Sequence, residues 1–134
     1  PAHVAAPVQR APEDLLERAN GLRGARRYSA AERASLEVVR LHPRTRAAYV
    51  AQVAAAGLRL DRLGRARAAG RLYRAALRRG GPLDAEVRYG LSRVAARVGP
   101  PGEERRALER LLAEHPGSPY AATARRRLAM LEGE

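Results

Sequence analysis

The 134-residue chain contains no cysteine, no phenylalanine and no tryptophan. Lysine and isoleucine are missing as well, so all 26 basic residues are arginine. Without cysteine there is no disulfide and no thiolate metal site, though this leaves the redox compartment open. Aromatic side chains amount to five tyrosines. No apolar run approaches the roughly 20 residues of a membrane-spanning helix. No segment alternates apolar and polar residues over a useful length, so no strand is expected. Abundant Arg, Ala, Gly and Pro beside missing Lys, Ile and Phe follow GC-rich codons and point to a high-GC genome. The net charge of +12 therefore overstates selection for basicity, although physically it is a strong positive field.

The length fits one domain with a real core. Residues 1–11 are Pro/Ala-rich and aperiodic and read as a linker, leaving 12–134 as a single helical domain. The opening PAHVAAPVQRAPEDLL suggests a piece of a longer protein whose targeting segment would lie upstream.

Two phrases repeat. EVVRLHPRTRAAYV at 37–50 and RLLAEHPGSPYAAT at 110–123 each end an apolar helix at His-Pro, offer a small hydroxyl residue and start a new helix. Around them the periodicity predicts seven helices. Pro12, Glu13 and Asp14 suit a first turn, with Leu15, Ala19 and Leu22 on one face. Ser29 and Glu32 form a capping box for the second helix, which stops near His42-Pro43. Thr45 caps the third helix, which carries Val53, Ala56, Gly57 and Leu60 inward. Gly64 breaks it. The fourth, about 65–79, packs Ala69, Leu72, Tyr73, Ala76 and Leu77 and ends at Gly80-Gly81-Pro82. Asp84 caps the fifth, GPPG at 99–102 is a turn, and Glu103 and Glu104 open the sixth. Ser118 caps a seventh helix opened by Pro119.

The corner prolines Pro43, Pro82 and Pro116 are spaced by 39 and 34 residues, a period typical of helical solenoids. The chain resembles tetratricopeptide-repeat proteins. Ala69, Tyr73 and Ala76 match the second-helix pattern of that family, and Gly57 and Leu60 match its first-helix positions. Leu15, Ala19, Leu22, Tyr28, Ala31 and Pro43 match in the first repeat, with Ser35 in place of the aromatic. The third repeat departs at Glu104, where alanine is expected. The resemblance implies an all-α, right-handed solenoid of three hairpins plus a capping helix. Within the superfamily, HPGSPYAATA at 115–124 is similar to the corners of the envelope proteins BamD and the Tol-Pal accessory protein. The whole chain also resembles the helical tails of FecR-type regulators. Those likenesses imply a periplasmic or cell-envelope adaptor, with the cytoplasm as the alternative.

Carrying the family's groove positions onto this register selects Leu16, Asn20 and Arg23, then Ala54, Leu58 and Arg62, then Tyr89, Arg93 and Arg97. Asn20 matches the carboxylate-clamp asparagine of chaperone-binding members. Leu16 departs from the lysine expected one turn earlier, so a chaperone-tail clamp is not implied. Tyr89, Arg93 and Arg97 share one helical line and would offer an aromatic platform and two guanidinium forks to an acidic peptide, with Arg62 converging on them. Gly57 is expected to be the position where the paired helix approaches closely. The competing possibility is a groove filled by the chain's own last helix or by a second copy.

Arg67, Arg71, Arg74 and Arg78 make a basic stripe on the fourth helix, opposite Leu72, Tyr73, Ala76 and Leu77. A solvated outer face explains it. So does a docking strip for phosphate, anionic lipid or an acidic partner. Nucleic acid is disfavoured because no aromatic set is interleaved with the arginines. His42 and His115 are expected to be structural helix-end residues, and His3 falls in the linker. No catalytic constellation, phosphate loop, metal site or cofactor site is recognisable. The expected function is a non-enzymatic scaffold for a peptide or protein partner, in an envelope complex or an envelope-sensing regulator. The alternatives are an arginine-based binder of anionic surfaces or nucleic acid, and a structural spacer or self-associating module.

Overall fold

The computed structural model describes residues 10–133. Most of the linker expected over 1–11, including His3, lies outside the described residues; residues 10 and 11 are exposed and non-helical. The described residues form seven helices and no strand: α1 (Pro12–Gly24), α2 (Tyr28–Leu41), α3 (Arg46–Asp61), α4 (Ala66–Arg79), α5 (Asp84–Val98), α6 (Glu103–Glu114) and α7 (Ala121–Glu132).

Each helix packs against the next one in the chain, and α1 with α3 and α3 with α5 also touch. The core is correspondingly local. Leu15, Val38, Ala47, Ala48 and Ala51 form one cluster across α1–α3. Tyr49, Val53, Leu60, Tyr73, Val87 and Val94 anchor the largest, across α3–α5. Leu108, Leu111 and Ala124 join α6 to α7. With so many alanines buried, backbones lie close together, and two tyrosines exploit glycines. A Cβ on Gly81 would lie 2.6 Å from Tyr49 Cζ, and one on Gly90 would lie 2.7 Å from both Cε atoms of Tyr73. Gly57, by contrast, has only the Tyr73 hydroxyl within 4 Å of its would-be Cβ, at 3.7 Å. The close approach expected at Gly57 therefore occurs at Gly90, because the Tyr73 ring lies against α5.

The helix ends follow their cap residues in some places and not in others. Pro12 opens α1 with Glu13 and Asp14 in its first turn. Thr45 Oγ1 accepts from Ala48 N at 3.1 Å and caps α3. Gly64, at φ +63, ends α3. Three expected caps do not form. Ser29 lies inside α2, whose N-cap is Arg27. Glu32 cannot reach back to the helix start because its buried carboxylate accepts from Arg59 Nε at 2.6 Å and also pairs with Arg65. Asp84 is the first residue of α5, after an N-cap at Leu83, and its carboxylate turns to Arg88 and His115. Ser118 keeps its hydroxyl buried without a hydrogen-bond partner. Ala121 N bonds the Ser118 carbonyl instead, so α7 begins later, with Tyr120 as N-cap.

The repeated phrase does fold twice in the same way. His42 (φ −134°, ψ 56°) and His115 (φ −137°, ψ 61°) end α2 and α6 in nearly one conformation. Their carbonyls accept from Thr45 N and Ser118 N, both at 3.1 Å.

Candidate functional site

Helix α5 carries a concavity on each side. Tyr89 and Arg93 lie a turn apart on one side; Leu91 and Val98 lie about half a turn around from them.

The first concavity is a hollow of about 370 Å³. Arg23 of α1, Ala54 and Leu58 of α3, Arg62 just beyond it, and Tyr89 and Arg93 of α5 all line it. Six of the groove residues expected from sequence are thus brought together, from three helices far apart in the chain. Three are not. Leu16 packs against the α1–α3 cluster. Asn20 Oδ1 accepts from Arg23 Nη2 at 3.3 Å on an exposed surface. Arg97 donates to the Leu60 carbonyl at the end of α3. The two-fork arrangement expected of Arg93 and Arg97 is therefore corrected: Arg97 is a tie between helices.

The remaining cations of the hollow are largely engaged. Arg93 makes a two-pronged pair with Asp61, one prong at 3.3 Å, and its guanidinium lies 5.8 Å from the Tyr89 ring. The hydrogen bonds with Asp61 hold the Arg93 cation more firmly than usual. Arg62 stacks over Tyr28 at 5.0 Å. Tyr89 stacks on Tyr120 with centroids 5.0 Å apart and planes 19° from parallel, so α7 covers one side of Tyr89 and leaves it half-buried. Burial, followed by the Asp61 charge, pushes the Tyr73 phenol well above its ordinary range. Four of the five tyrosines line this hollow, with Asp61 and Glu86 as its acids. Sequence reasoning missed Tyr28, Tyr73 and Tyr120 as lining because helical period assigns them to packing faces. The small residues Gly57 and Gly90, which let the Tyr73 side chain lie between α3 and α5, are the signal that marks that ring.

The second concavity is a trough of about 830 Å³ between α4, α5 and α6, within the range of ligand-binding clefts. Arg67, Arg71 and Arg74 of the basic stripe form one wall, and Arg106 and Arg110 of α6 form the other. Leu77, Leu91, Val94, Val98 and Ala107 make its floor. Leu77 therefore stands beside the stripe and not opposite it, and Arg78 lies outside the trough. Arg88 at one end pairs with Asp84 at 2.8 Å. Among the described residues, Arg67, Arg71, Arg74, Arg106 and Arg110 make no ion pair, hydrogen bond or ring contact. Glu103 is the one acid on the lining. Arg106 and Arg110 escaped sequence reasoning, although their i, i+4 spacing is the same signal that marked the α4 stripe.

His42 and His115 act as corner ties. His42 Nε2 lies 3.2 Å from the Arg10 carbonyl, and His115 Nε2 lies 2.5 Å from Asp84 Oδ2. Burial would raise the Asp84 carboxyl, but hydrogen bonds from His115 and Arg88 outweigh it and hold the group below its ordinary value. Ser118, three residues beyond His115, does not extend this pair into a triad, since its hydroxyl touches no partner.

Among the described residues, no group of three or more His, Asp or Glu could hold a metal ion. No helix there is long and apolar enough to cross a membrane. No protein-family model matches the chain, and no curated protein matches it in sequence.

Proposed function

We propose that this chain is a helical-repeat scaffold of the tetratricopeptide type, which holds a peptide or protein partner and performs no chemistry of its own. The convergence of Arg23, Ala54, Leu58, Arg62, Tyr89 and Arg93 in one hollow carries the proposal. On the tetratricopeptide register these positions fall at matching places in three successive hairpins. Support for a solenoid comes from the α1–α3 and α3–α5 contacts and from the three clusters handed along the chain.

The chemistry of the hollow favours an apolar or proline-bearing segment over an acidic one. Its rings offer flat apolar faces with polar tips, and aromatic-lined grooves take up extended proline-rich peptides. Arg93, already satisfied by Asp61, has little to offer a carboxylate. The likeness of the His-Pro corners to those of envelope proteins supports a partner in a bacterial envelope complex or envelope-sensing regulator.

The test is a binding comparison. A photo-crosslinking residue at Ala54 should capture the partner in the native complex, and one on the exposed face of α2 at Arg33 should not. Tyr89→Ala with Arg62→Ala should weaken that partner by about 2 kcal/mol or more while the helical circular-dichroism signal persists. Wild-type affinity in the double variant removes the hollow as the binding site.

A further inference from the structure

The trough on the other side of α5 has no role in the hollow and shares none of its lining residues. We propose that it is a second docking site, made for an acidic amphipathic helix of a protein partner. This extends the scaffold reading but depends on different residues.

Three observations select that occupant. First, the arginines are uncompensated: five exposed guanidinium groups face one glutamate, and none of the five has a partner among the described residues. Arginines elsewhere in the molecule, such as Arg59, Arg93 and Arg127, are paired with carboxylates. A charge cluster left open beside apolar surface is complementary to an anionic, partly apolar ligand. Second, the cations stand on two walls with an apolar floor between them. Arg67 and Arg74 are seven residues apart, roughly 10 Å along α4, and Arg106 and Arg110 are one turn apart on α6. A single anionic headgroup could engage one or two of them. A helix with an apolar stripe flanked by Glu or Asp at i, i+4 spacing engages both walls while seating Leu-type side chains on Leu91 and Val98. Third, the two other anionic macromolecules fit poorly. A bilayer is flat and cannot reach a recessed floor, and the exposed large apolar residues that could enter it, Leu41 and Met130, lie elsewhere. Nucleic acid bases would find no ring to stack on, because no tyrosine lines the trough.

The experiment uses the whole chain and a synthetic peptide of about 18 residues, five helical turns, with a leucine stripe flanked by glutamates. Fluorescence anisotropy should show saturable binding. A scrambled peptide of the same composition should bind at least tenfold more weakly. Arg71→Glu with Arg74→Glu should lose about tenfold per arginine, the usual worth of a charge-assisted hydrogen bond. A peptide with lysines facing that wall should recover binding to the reversed protein. Leu91→Gln should weaken the peptide without altering its dependence on salt. Tyr89→Ala, in the hollow, should leave peptide binding unchanged, so failure here is distinguishable from failure of the hollow. Equal binding of the scrambled peptide overturns the proposal. So does wild-type affinity in the double reversal, or preferential binding of anionic vesicles, single-headed amphiphiles or single-stranded RNA through the same arginines.

Discussion

The two sides of α5 use the same residue type in opposite ways. On the hollow side each arginine of α5 is committed: Arg93 to Asp61 and Tyr89, Arg97 to the Leu60 carbonyl. On the trough side five arginines stand open across an apolar floor. In a chain that has 26 arginines and no lysine, abundance says little about role. What separates framework from docking surface is whether a guanidinium finds its acceptor within the fold. An engaged arginine fixes the distance between helices, whereas an open one keeps its interaction energy for something else.

The deepest committed charge gives the largest expected effect. Glu32 is 7% exposed, and its carboxylate serves Arg59 and Arg65 at once, tying α2 to the end of α3 and the start of α4. Removing one partner of a buried pair strands the other charge. Arg65 is half exposed and rehydrates, so Glu32→Ala should destabilise the fold by about 2–3 kcal/mol, mainly through the lost charged hydrogen bond of Arg59, measured by urea denaturation. A loss below 1 kcal/mol would mean that the cluster is solvated.

Next comes the floor of the hollow. Gly90→Ala puts a methyl group into the Tyr73 ring, which is itself packed in the core. The ring must move, and overpacking of this kind costs about 1–3 kcal/mol. Gly57→Ala should instead be neutral or stabilise the fold by up to about 1 kcal/mol, because its added methyl makes only an ordinary contact with the Tyr73 hydroxyl and alanine suits the helix interior better than glycine. If the two glycines rank the other way, the helix register is wrong.

That ranking marks what could and could not be read in advance. Helix number, most boundaries and the buried faces were legible because helical periodicity, proline and glycine act locally. The Thr45 cap was legible for the same reason. The Ser29 and Asp84 caps were not, since a polar side chain can be claimed by a partner far along the chain, as Glu32 and Asp84 are, and at Ser118 the backbone carbonyl takes the turn's hydrogen bond in place of the hydroxyl. Six of the nine positions taken from the tetratricopeptide resemblance meet in one hollow, whereas Leu16, Asn20 and Arg97 do not. The pairing of Arg93 with Asp61, the Tyr89–Tyr120 stack and the second wall of the trough depend on how helices far apart in the chain meet. Nothing in a local window encodes that meeting.

The Asp84–His115 corner should show itself through pH. The folded Asp84 carboxyl titrates below its unfolded value, so folding favours its charged form. Its stabilisation is present above about pH 4, the ordinary aspartate range, and is lost as pH falls through the lower folded value. Asp84→Asn should flatten the acid limb of the stability profile. An unchanged acid limb would assign it to other carboxylates. A smaller effect is expected at Asp61, where the pair with Arg93 is about 40% exposed on the carboxylate side. Asp61→Asn should cost about 0–1 kcal/mol yet free Arg93. The hollow should then gain affinity for acidic peptides and come to resemble the trough.

The smallest effect on stability has the opposite sign. Arg71 stands at i+4 from Arg67 and i−3 from Arg74, and no carboxylate separates them. Like charges at these spacings destabilise a helix by a few tenths of a kcal/mol per pair, and opposite charges stabilise it by a similar amount. Arg71→Glu converts two repulsive neighbours into two attractive ones. The fold should become more stable by about 0.5–1 kcal/mol, before solvent screening reduces the gain. Thermal melting at low salt should register the increase, and high salt should erase it. The acidic-helix probe should meanwhile lose affinity. Residues maintained for folding do not behave this way, whereas surfaces held ready for a partner retain strain that substitution can relieve. If Arg71→Glu leaves both melting and probe binding unchanged, the stripe is a solvated face and the contrast between the two sides of α5 has no functional content.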